Sequence, residues 1–505
     1  MKKTKRAFAS LAVVCTALIA ASGCGAGFAI NDYLDEADGY DKSLFFENTG
    51  MVQAADPSVI TVGDTFYLYA TNANSDEDCS YICGWSSKNL SDWQWLGAVF
   101  TPARDSWAAD SLWAPEVVEK DGTFYMYYSG YSIEKQIHGI GLAVSESPAG
   151  PFHEIEGTFG GVTYSRTKMP FDFGYPAIDA SPFIDDDGSV YLYFSKDQVD
   201  RESSVYGCRL ESDMVTVAEG TLTGAPLVKV SQSWEGTENA NRWNEAPFMM
   251  KRNGKYMLFY SANYYQHRTY AVGVAVSDNP LSGFTKADYN PVLEADPDWT
   301  FVSGTGHVSV FPSPDGSELY LAYHAHIDAA NGGSERKICF DRLAFDGDKV
   351  IVCGPSVTPQ PLPSGSGQYR NIAPLASVEA AGEGRERLTD GVINWKYDGV
   401  QAYEFYCEGK TKITLKWDSE VKIKAIMVYD SADYALSAEK VKVGLDGKKF
   451  TLKFNPANRY IDEYDFEVKI PGSAAIVEFA ERGARELTLE FEGEVSLNEI
   501  VVLGK

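Results

Sequence analysis

The sequence has little positive charge, few histidines and few cysteines. Among 505 residues, 44 Lys and Arg stand against 71 Asp and Glu, a formal net charge of −27, and there are only 6 His and 8 Cys. A surface this acidic repels a phosphate backbone and argues against a nucleic-acid partner. No apolar stretch after residue 21 is long enough to span a bilayer, so no transmembrane helix is expected there.

Aromatic residues and glycines are abundant instead. The chain is 13% aromatic and 44% hydrophobic and contains 45 Gly. It is too apolar to be disordered, and at roughly 100–200 residues per domain its length predicts two to four domains. Short aromatic-rich runs separated by glycines favour an all-β architecture.

The N-terminus has the pattern of a secretion signal. Four basic residues within positions 2–6 precede an apolar run over 7–21, which is too short for a membrane span. The run ends in Ala21-Ser22-Gly23-Cys24, which resembles a bacterial lipoprotein box. We therefore predict a signal peptide over 1–23, lipidation of Cys24, a tether over 24–50 and a cell-surface location with the lipid as sole membrane anchor. Ordinary cleavage would give a secreted protein.

Six cysteines remain after Cys15 and Cys24 are set aside. Cys79 and Cys83 lie four positions apart in a polar stretch and could form a disulfide outside the cell or stay as thiols. A zinc site is disfavoured because no second close Cys pair or suitably spaced His accompanies them.

An internal repeat dominates the chain. A glycine followed by an alternating, aromatic-rich strand recurs at intervals of 59, 66, 66 and 62 residues, at Gly63, Gly122, Gly188, Gly254 and Gly316. Four of these glycines follow Asp or Asn, which is typical of tight hairpins. Five all-β repeats of this size predict a five-bladed β-propeller over residues 51–353.

The composition changes after Cys353. Residues 354–370 are rich in Pro, Gly and Ser, which predicts a linker or a connection that follows the edge of the propeller. Residues 371–505 contain short alternating strands, and their number and length predict one β-sandwich domain.

Equivalent positions of the first strand in each blade should meet at the propeller axis. Nine residues before the hairpin glycine, or seven in the first blade, stand Asp56, Trp113, Asp179, Glu245 and His307. Clustering three carboxylates raises their pKa values and costs stability, so such clusters usually persist for chemistry. A protonated carboxyl that donates to a leaving oxygen and an ionised one that activates water hydrolyse glycosidic bonds.

The motifs around these positions resemble glycoside hydrolase family 43. They are Ala55-Asp56-Pro57-Ser58, Trp113-Ala114-Pro115, Ile178-Asp179, Asn244-Glu245-Ala246-Pro247 and Gly306-His307-Val308-Ser309. The resemblance implies a five-bladed propeller that hydrolyses arabinose- or xylose-containing glycans with inversion. It implies Asp56 as general base, Glu245 as general acid and Asp179 as modulator of the acid's pKa. Ala246 replaces the usual Gly of the acid motif.

The same resemblance extends to other residues and to cofactors. It implies no required cofactor, although His307 could help to hold a structural calcium ion at the axis. Trp113 could stack on a sugar or simply pack, and Arg336 corresponds loosely to an arginine that contacts the terminal sugar. Of the other residues near the motifs, Glu116 and Glu238 rank below Glu245, and His324 and His326 could contact substrate or pack.

The C-terminal region resembles a discoidin-like (coagulation factor 5/8 type C) domain. The matching segments are 371–380, Leu388-Thr389-Asp390-Gly391 and Trp395. Such domains often bind glycans through loop aromatics, which makes Trp395, Tyr397 and Tyr406 candidates. A rigid packing module without a ligand is an equally good interpretation.

These observations lead to one leading hypothesis and several alternatives. Long loops over 157–175 and 231–243 could close a pocket, which favours an exo-acting, inverting α-L-arabinofuranosidase. A β-xylosidase, an endo-arabinanase or an exo-galactanase would use the same carboxylates. A retaining propeller glycosidase and a non-catalytic, glycan-binding surface lipoprotein are further alternatives.

Overall fold

The chain is almost entirely β-structure. The computed structural model describes residues 40–48, 52–72, 79–199, 202–236, 242–295, 301–394, 403–431, 441–450, 459–461, 467–470 and 472–505. Within these ranges the helices are short 3₁₀ turns, such as Ala373–Leu375 and Arg385–Thr389. No helix in this part of the chain combines the length and hydropathy needed to cross a membrane. The predicted signal peptide and Cys24 lie outside the described residues.

Five blades, each of antiparallel strands, follow one another along the first 352 residues. Blade one contains β2 (Ala55–Val62), β3 (Thr65–Thr71), β4 (Ile82–Ser87) and β5 (Gln94–Phe100). Blade two contains β6 (Ala108–Lys120), β7 (Thr123–Ser132), β8 (Ile137–Ser145) and β9 (His153–Glu154). Blade three contains β12 (Ala177–Ile184), β13 (Val190–Val199) and β14 (Glu202–Leu210). The hairpin of β10 (Gly157–Phe159) and β11 (Val162–Tyr164) lies between blades two and three.

Blades four and five complete the propeller. Blade four contains β15 (Arg242–Arg252), β16 (Lys255–Ala262), β17 (Ala271–Ser277) and β18 (Thr285–Lys286). Blade five contains β19 (Gly306–Pro312), β20 (Leu319–His326), β21 (Arg336–Asp346) and β22 (Lys349–Val352). The innermost strands contact one another in the order β2, β6, β12, β15, β19 and back to β2. The predicted five-bladed propeller is therefore confirmed.

The second strand of each blade explains the aromatic repeat. Its successive side chains point to opposite faces, and each face packs on a different neighbouring blade. In β7, Met126 and Tyr128 pack towards blade one, whereas Tyr127 packs towards blade three. In β16, Leu258 and Tyr260 face blade three. A strand buried on both faces needs large apolar residues at every position, and five such clusters hold the blades together.

The two ends of the propeller are joined by the N-terminal segment. Strand β1 (Phe45–Phe46) pairs with β23 (Gln360–Pro361), and the side chain of Asn48 hydrogen-bonds both backbone groups of Phe340 in blade five. The backbone N–H of Ile338 donates to the carbonyl of Val52. The ring is thus closed between blades five and one by a segment that precedes the first blade, and residues 360–361 lie along the propeller edge.

The C-terminal region is a two-layered sandwich built on two long, bent strands. Its elements are β24 (Arg370–Asn371), β25 (Ser377–Glu379), β26 (Phe405–Cys407), β27 (Thr411–Asp430), β28 (Lys442–Leu445), β29 (Lys448–Phe450), β30 (Arg459–Ile461), β31 (Glu467–Lys469), β32 (Ala475–Phe491) and β33 (Val495–Gly504). The first half of β27 pairs with β25 and the end of β32, and its second half pairs with β33 and the start of β32. Residues from both halves enclose one apolar core, which makes the predicted β-sandwich the observed architecture.

Candidate active site

One cavity of about 670 Å³ lies at the axis of the propeller. Its lining residues come from all five blades and are Asp56, Thr71, Asn72, Cys79, Ser111, Trp113, His138, Ile178, Asp179, Asp197, Trp243, Glu245, Tyr264, Tyr265, Tyr270, His307, His324, Ser334 and Arg336. Every candidate that the sequence places at the axis lines this cavity, and so does Arg336. Three carboxyl groups from blades one, three and four therefore share one small space with cationic and aromatic side chains.

A bulge at the same place in every innermost strand shapes the cavity wall. In each blade the register between the first two strands shifts at this point, and one residue adopts a left-handed backbone conformation. These residues are Asp56, Ala114, Asp179, Ala246 and His307, with φ between 48° and 56°. Such conformations are strained for non-glycine residues and are kept where they re-aim side chains at functional sites.

The bulges correct the register assumed from the sequence. Asp56, Asp179 and His307 occupy the left-handed position itself, whereas Trp113 and Glu245 stand one residue before it. The count from the hairpin glycine fails because the hairpins differ in length, with two residues between Arg252 and Lys255 but five between Ile184 and Val190. Trp113 and Glu245 still reach the cavity, but not from positions equivalent to the two aspartates.

A circle of hydrogen bonds between blades fixes the bulges. The backbone N–H of each left-handed residue donates to a side chain on the second strand of the preceding blade. The five pairs are Ala114 to Thr71 (2.8 Å), Asp179 to Ser129 (3.0 Å), Ala246 to Ser195 (3.0 Å), His307 to Ser261 (2.8 Å) and Asp56 to His324 (3.2 Å). Four acceptors are hydroxyls and the fifth is the Nδ1 atom of His324. The circle sets the backbone of the site independently of the side chains that it presents.

The carboxyl group of Asp56 is surrounded by positive and hydrogen-bonding groups. Arg336 Nη1 lies 3.1 Å and His307 Nδ1 3.4 Å from Oδ1, and the Thr71 hydroxyl donates to Oδ2 at 2.7 Å. Burial opposes ionisation, but the Arg336 charge, followed by His307, outweighs it, and the pKa of Asp56 is held well below its usual value. Burial lowers the pKa of His324 to about 3, so this ring is neutral and its Nδ1 can accept from the Asp56 N–H.

The carboxyl group of Glu245 has the opposite electrostatic surroundings. Tyr270 donates its hydroxyl to Oε1 at 2.9 Å, and the Tyr270 ring stacks on His324 with centroids 5.6 Å apart. No cationic side chain among the described residues pairs with Glu245. Burial, followed by repulsion from Asp179, raises its pKa well above the usual value. These surroundings therefore favour the protonated form of Glu245.

Asp179 lines the same cavity, and its carboxyl group interacts electrostatically with those of Asp56 and Glu245. Its Oδ2 accepts hydrogen bonds from the Ala246 N–H at 3.1 Å and the Ser195 hydroxyl at 3.2 Å. Burial and Asp56 raise the pKa of Asp179, while His307 and these donors lower it. Asp179 accepts two hydrogen bonds and Glu245 accepts one, so the surroundings favour ionisation of Asp179 over ionisation of Glu245.

The residues do not form a cage for calcium. Within the described ranges, no three His, Cys, Asp or Glu side chains are arranged to hold a metal ion. Calcium prefers six to eight oxygen ligands, whereas His307 brings one nitrogen towards Asp56. We therefore derive no step through a metal.

Several other sequence candidates have different positions. Glu116 is buried outside the cavity lining and accepts a hydrogen bond from Ser58. His326 is buried behind the cavity wall, against Ser303 and the Tyr265 carbonyl. None of the described cysteines, including the Cys79 and Cys83 pair, forms a disulfide. Tyr406 of the sandwich is 41% exposed. Glu238, Trp395 and Tyr397 lie outside the described residues.

Three further residues that line the cavity together with Glu245 were not predicted from the sequence. Tyr270 comes from the start of β17, Trp243 from the start of β15 and Asp197 from the end of β13. A signal existed for one of them, because Asp197 and the cavity residue Asn72 each stand nine positions after a hairpin glycine. The second strands thus also present residues to the cavity, and a count along the first strands alone does not find them.

Comparisons with known proteins identify the family of the propeller region. The model of the glycosyl hydrolases family 43 matches residues 49–351. A xylosidase/arabinosidase of Bacteroides ovatus is 31% identical over 277 residues, which cover 51% of this chain and 77% of the relative. An extracellular exo-α-(1→5)-L-arabinofuranosidase of Cellvibrio japonicus is 27% identical over 59% of this chain and 85% of its own length.

Solved structures give the same result for the fold. A crystal structure of a thermostable family-43 glycoside hydrolase aligns with a TM-score of 0.56 at 36% identity, covering 63% of this chain and 99% of that one. An endo-1,4-β-xylanase structure from Bacteroides thetaiotaomicron aligns with a TM-score of 0.51 at 30% identity, covering 62% and 98%. The propeller, its axial carboxyl groups and a family match over more than half of the chain all agree, and the chain belongs to glycoside hydrolase family 43.

Proposed function

We propose that this protein removes terminal sugars from arabinose- or xylose-containing glycans with inversion, as an α-L-arabinofuranosidase. One observation carries the proposal. Two buried carboxyl groups in one cavity have their pKa values moved in opposite directions, that of Asp56 downward and that of Glu245 upward. Two carboxyl groups whose pKa values differ in this way can supply a base and an acid at the same pH.

The proposed reaction assigns one role to each carboxyl group. Ionised Asp56 takes a proton from water, whose oxygen forms the new bond to the anomeric carbon. Glu245 gives its proton to the glycosidic oxygen as the bond to the leaving sugar breaks. Asp179 keeps the Glu245 proton in place by repulsion and orients the acid through the Ala246 N–H. Trp113 and Arg336 border the space for the terminal sugar.

The choice of sugar is supported by the names of the relatives. The names of relatives include xylosidase/arabinosidase, arabinofuranosidase and β-xylosidase, all at modest identity. β-Xylosidase activity on the same carboxylates is therefore the second candidate, and endo-arabinanase or exo-galactanase activity comes next. A cavity walled by aromatic side chains of blade four, among them Tyr264 and Tyr265, supports removal of an end sugar over cleavage within a chain.

The decisive experiment uses the full chain with nitrophenyl and oligosaccharide substrates of both sugars. We expect release of arabinose from arabinofuranosides and, by proton NMR, a first product with the anomeric configuration opposite to that of the substrate. A first product with retained configuration would contradict inversion. Failure to cleave any arabinose- or xylose-containing glycan would overturn the proposal and promote the glycan-binding alternative.

We also propose that the enzyme works at the cell surface, anchored through Cys24. The support is the basic and apolar N-terminal pattern that ends at this cysteine. Metabolic labelling with palmitate should mark the wild type and leave the Cys24→Ala variant unlabelled and released into the medium. A labelled Cys24→Ala variant would contradict lipidation at this residue.

A further inference from the structure

The seam between blades three and four forms one continuous wall of the cavity. Strand β14 pairs in parallel with β15, with Ser203 opposite Trp243, which joins the two blades into one seven-stranded sheet. The hydroxyl of Ser203 donates to the carbonyl of Lys196, the residue before Asp197. Backbone pairing and this hydrogen bond therefore hold Asp197 and Trp243 on the same side of the cavity.

Asp197 contributes a carboxylate that the proposed reaction does not use. It is two positions beyond Ser195 on β13 and so shares the face from which Ser195 contacts Asp179 and Ala246. Its backbone N–H is bound to the Pro176 carbonyl, but no hydrogen bond from the described residues reaches its carboxyl group. Burial and repulsion from Asp179 raise the pKa of Asp197 to about 6, so it is mostly ionised at pH 7.

Trp243 contributes a donor without an acceptor. Its ring lines the cavity and lies 4.6 Å from the Tyr264 ring, and the residue is 6% exposed. The indole Nε1 is buried and has no hydrogen-bond partner in the described part of the chain. An unsatisfied buried N–H is costly, and Trp N–H groups usually find a partner when buried. A polar group of a ligand would supply that partner.

We propose that Asp197 and Trp243 bind hydroxyl groups of the leaving sugar, and this inference rests on the function proposed above. The carboxylate accepts from one hydroxyl, and the indole N–H donates to another oxygen of the same sugar. This pair selects glycans whose cleaved bond is followed by a second sugar.

The position of the acid places this pair on the leaving-group side. Glu245 follows Trp243 by two residues on β15 and protonates the leaving oxygen, so the departing sugar lies beside it. Asp56, held by Arg336 and His307 of blade five, activates water on the opposite face of the terminal sugar. A carboxylate and a donor beside Glu245 therefore face the group that departs.

Three substrates with the same terminal sugar test this inference on the full chain. A nitrophenyl glycoside needs neither an acid nor sugar hydroxyls on its leaving group. A methyl glycoside needs the acid but offers no sugar hydroxyls, and a disaccharide needs both. For Asp197→Asn and Trp243→Phe we expect kcat/KM on the disaccharide to fall about 10-fold to 100-fold, with both other substrates within about 2-fold of wild type.

The alternative outcomes each overturn the inference. Equal losses on the methyl glycoside and the disaccharide would mean that Asp197 acts only through the Glu245 proton. Equal losses on all three substrates would mean that Asp197 contacts the terminal sugar or is needed for stability. Wild-type rates on all three would mean that Asp197 does not bind the leaving sugar. Asp186→Asn, 85% exposed on the hairpin of the same blade, is the matched control. A wild type that cleaves none of the substrates would instead refute the proposed function.

Discussion

Two buried carboxyl groups in this cavity differ in charge because their neighbours differ. Desolvation acts on both Asp56 and Glu245 and by itself would keep both protonated. Asp56 receives an arginine, a histidine and a threonine hydroxyl, whereas Glu245 receives a tyrosine hydroxyl and the repulsion of Asp179. The opposite pKa shifts of the two carboxyl groups thus come from the groups that contact each of them and not from their depth in the protein.

Replacing the acid should separate substrates by their need for protonation. In Glu245→Gln we expect kcat on a disaccharide to fall about 10²-fold to 10⁴-fold, because the leaving oxygen no longer receives a proton. The nitrophenyl glycoside should lose much less, since nitrophenolate leaves without protonation. Steady-state kinetics on both substrates check this, with Asp186→Asn as the control. Near-normal turnover of the disaccharide by Glu245→Gln would refute the acid role.

Glu116 is a buried carboxyl group outside the cavity, so the effect of its burial on stability can be measured separately from activity. Its carboxyl accepts from the Ser58 hydroxyl, and burial raises its pKa to about 8. The unfolded chain ionises this group near pH 4.5, whereas the folded protein keeps it neutral until about pH 8. Stability from this residue is therefore complete at low pH and is lost progressively as pH rises between these two values.

The substitution Glu116→Gln should remove this pH dependence. Relative to wild type, we expect the variant to gain about 3 kcal/mol of stability on going from pH 5 to pH 8, following the linkage between pKa and folding. Thermal melts at several pH values check the prediction, and kcat should be unchanged because Glu116 is outside the cavity. A difference in Tm between variant and wild type that stays constant with pH would contradict it.

At the level of elements, the bulged first strands and the second strands form the site together. The bulge of each first strand presents either its left-handed residue or the residue before it to the cavity, and a side chain of the preceding blade's second strand accepts a hydrogen bond from the N–H of the left-handed residue. Thr71 has a second function, because its hydroxyl also donates to Asp56. Ser129 in the equivalent position of blade two accepts from the Asp179 N–H, a backbone group.

This difference allows a matched pair of variants. Thr71→Val and Ser129→Ala each break one bond of the circle, and we expect both to lower stability by about 1–3 kcal/mol. Only Thr71→Val should lower kcat/KM, by about 10-fold, and raise the pKa of the acid limb of the pH profile, because Asp56 loses a donor to its ionised form. Equal losses of kcat/KM in both variants would contradict a separate kinetic role for the hydrogen bond from Thr71 to Asp56.

The same elements show what could be read from the sequence. The hairpin glycines and alternating aromatics predicted five blades because the second strand of each blade is buried on both faces. This burial leaves a strong periodic pattern in the sequence. Asp56, Asp179 and Glu245 followed from that period. The one-residue offset of Glu245 did not, because bulges and unequal hairpins carry no such period. Tyr270 and Trp243 were missed since they belong to strand starts that follow loops of unequal length.

At the level of the whole molecule, the sandwich and the propeller share an apolar boundary. Leu44, Phe45 and Cys353 from the propeller side pack in one cluster with residues of β27 and β33, among them Met427 and Val501. All five are almost fully buried. Burial of this kind couples the two regions in folding, although the family match ends at residue 351.

A charge in this boundary should uncouple the two regions. Met427→Glu places a carboxylate at a fully buried position of β27, and we expect a loss of about 3–5 kcal/mol. Calorimetry should then resolve two transitions in place of one, while kcat on small substrates at 25 °C stays within about 2-fold. Lys412→Glu, on the same strand but exposed, is the control. A single transition in Met427→Glu would contradict coupling through this boundary.

The circle of bonds between blades also bears on how such an enzyme can change over time. It holds five peptide groups and makes no demand on the side chains beyond them, which is why alanine occupies two of the sites and ionisable residues the other three. The side chains at these positions can therefore be substituted one at a time while the backbone of the site keeps its conformation. A propeller whose active-site backbone is held by hydrogen bonds to its peptide N–H groups can change its substrate specificity without a change of fold.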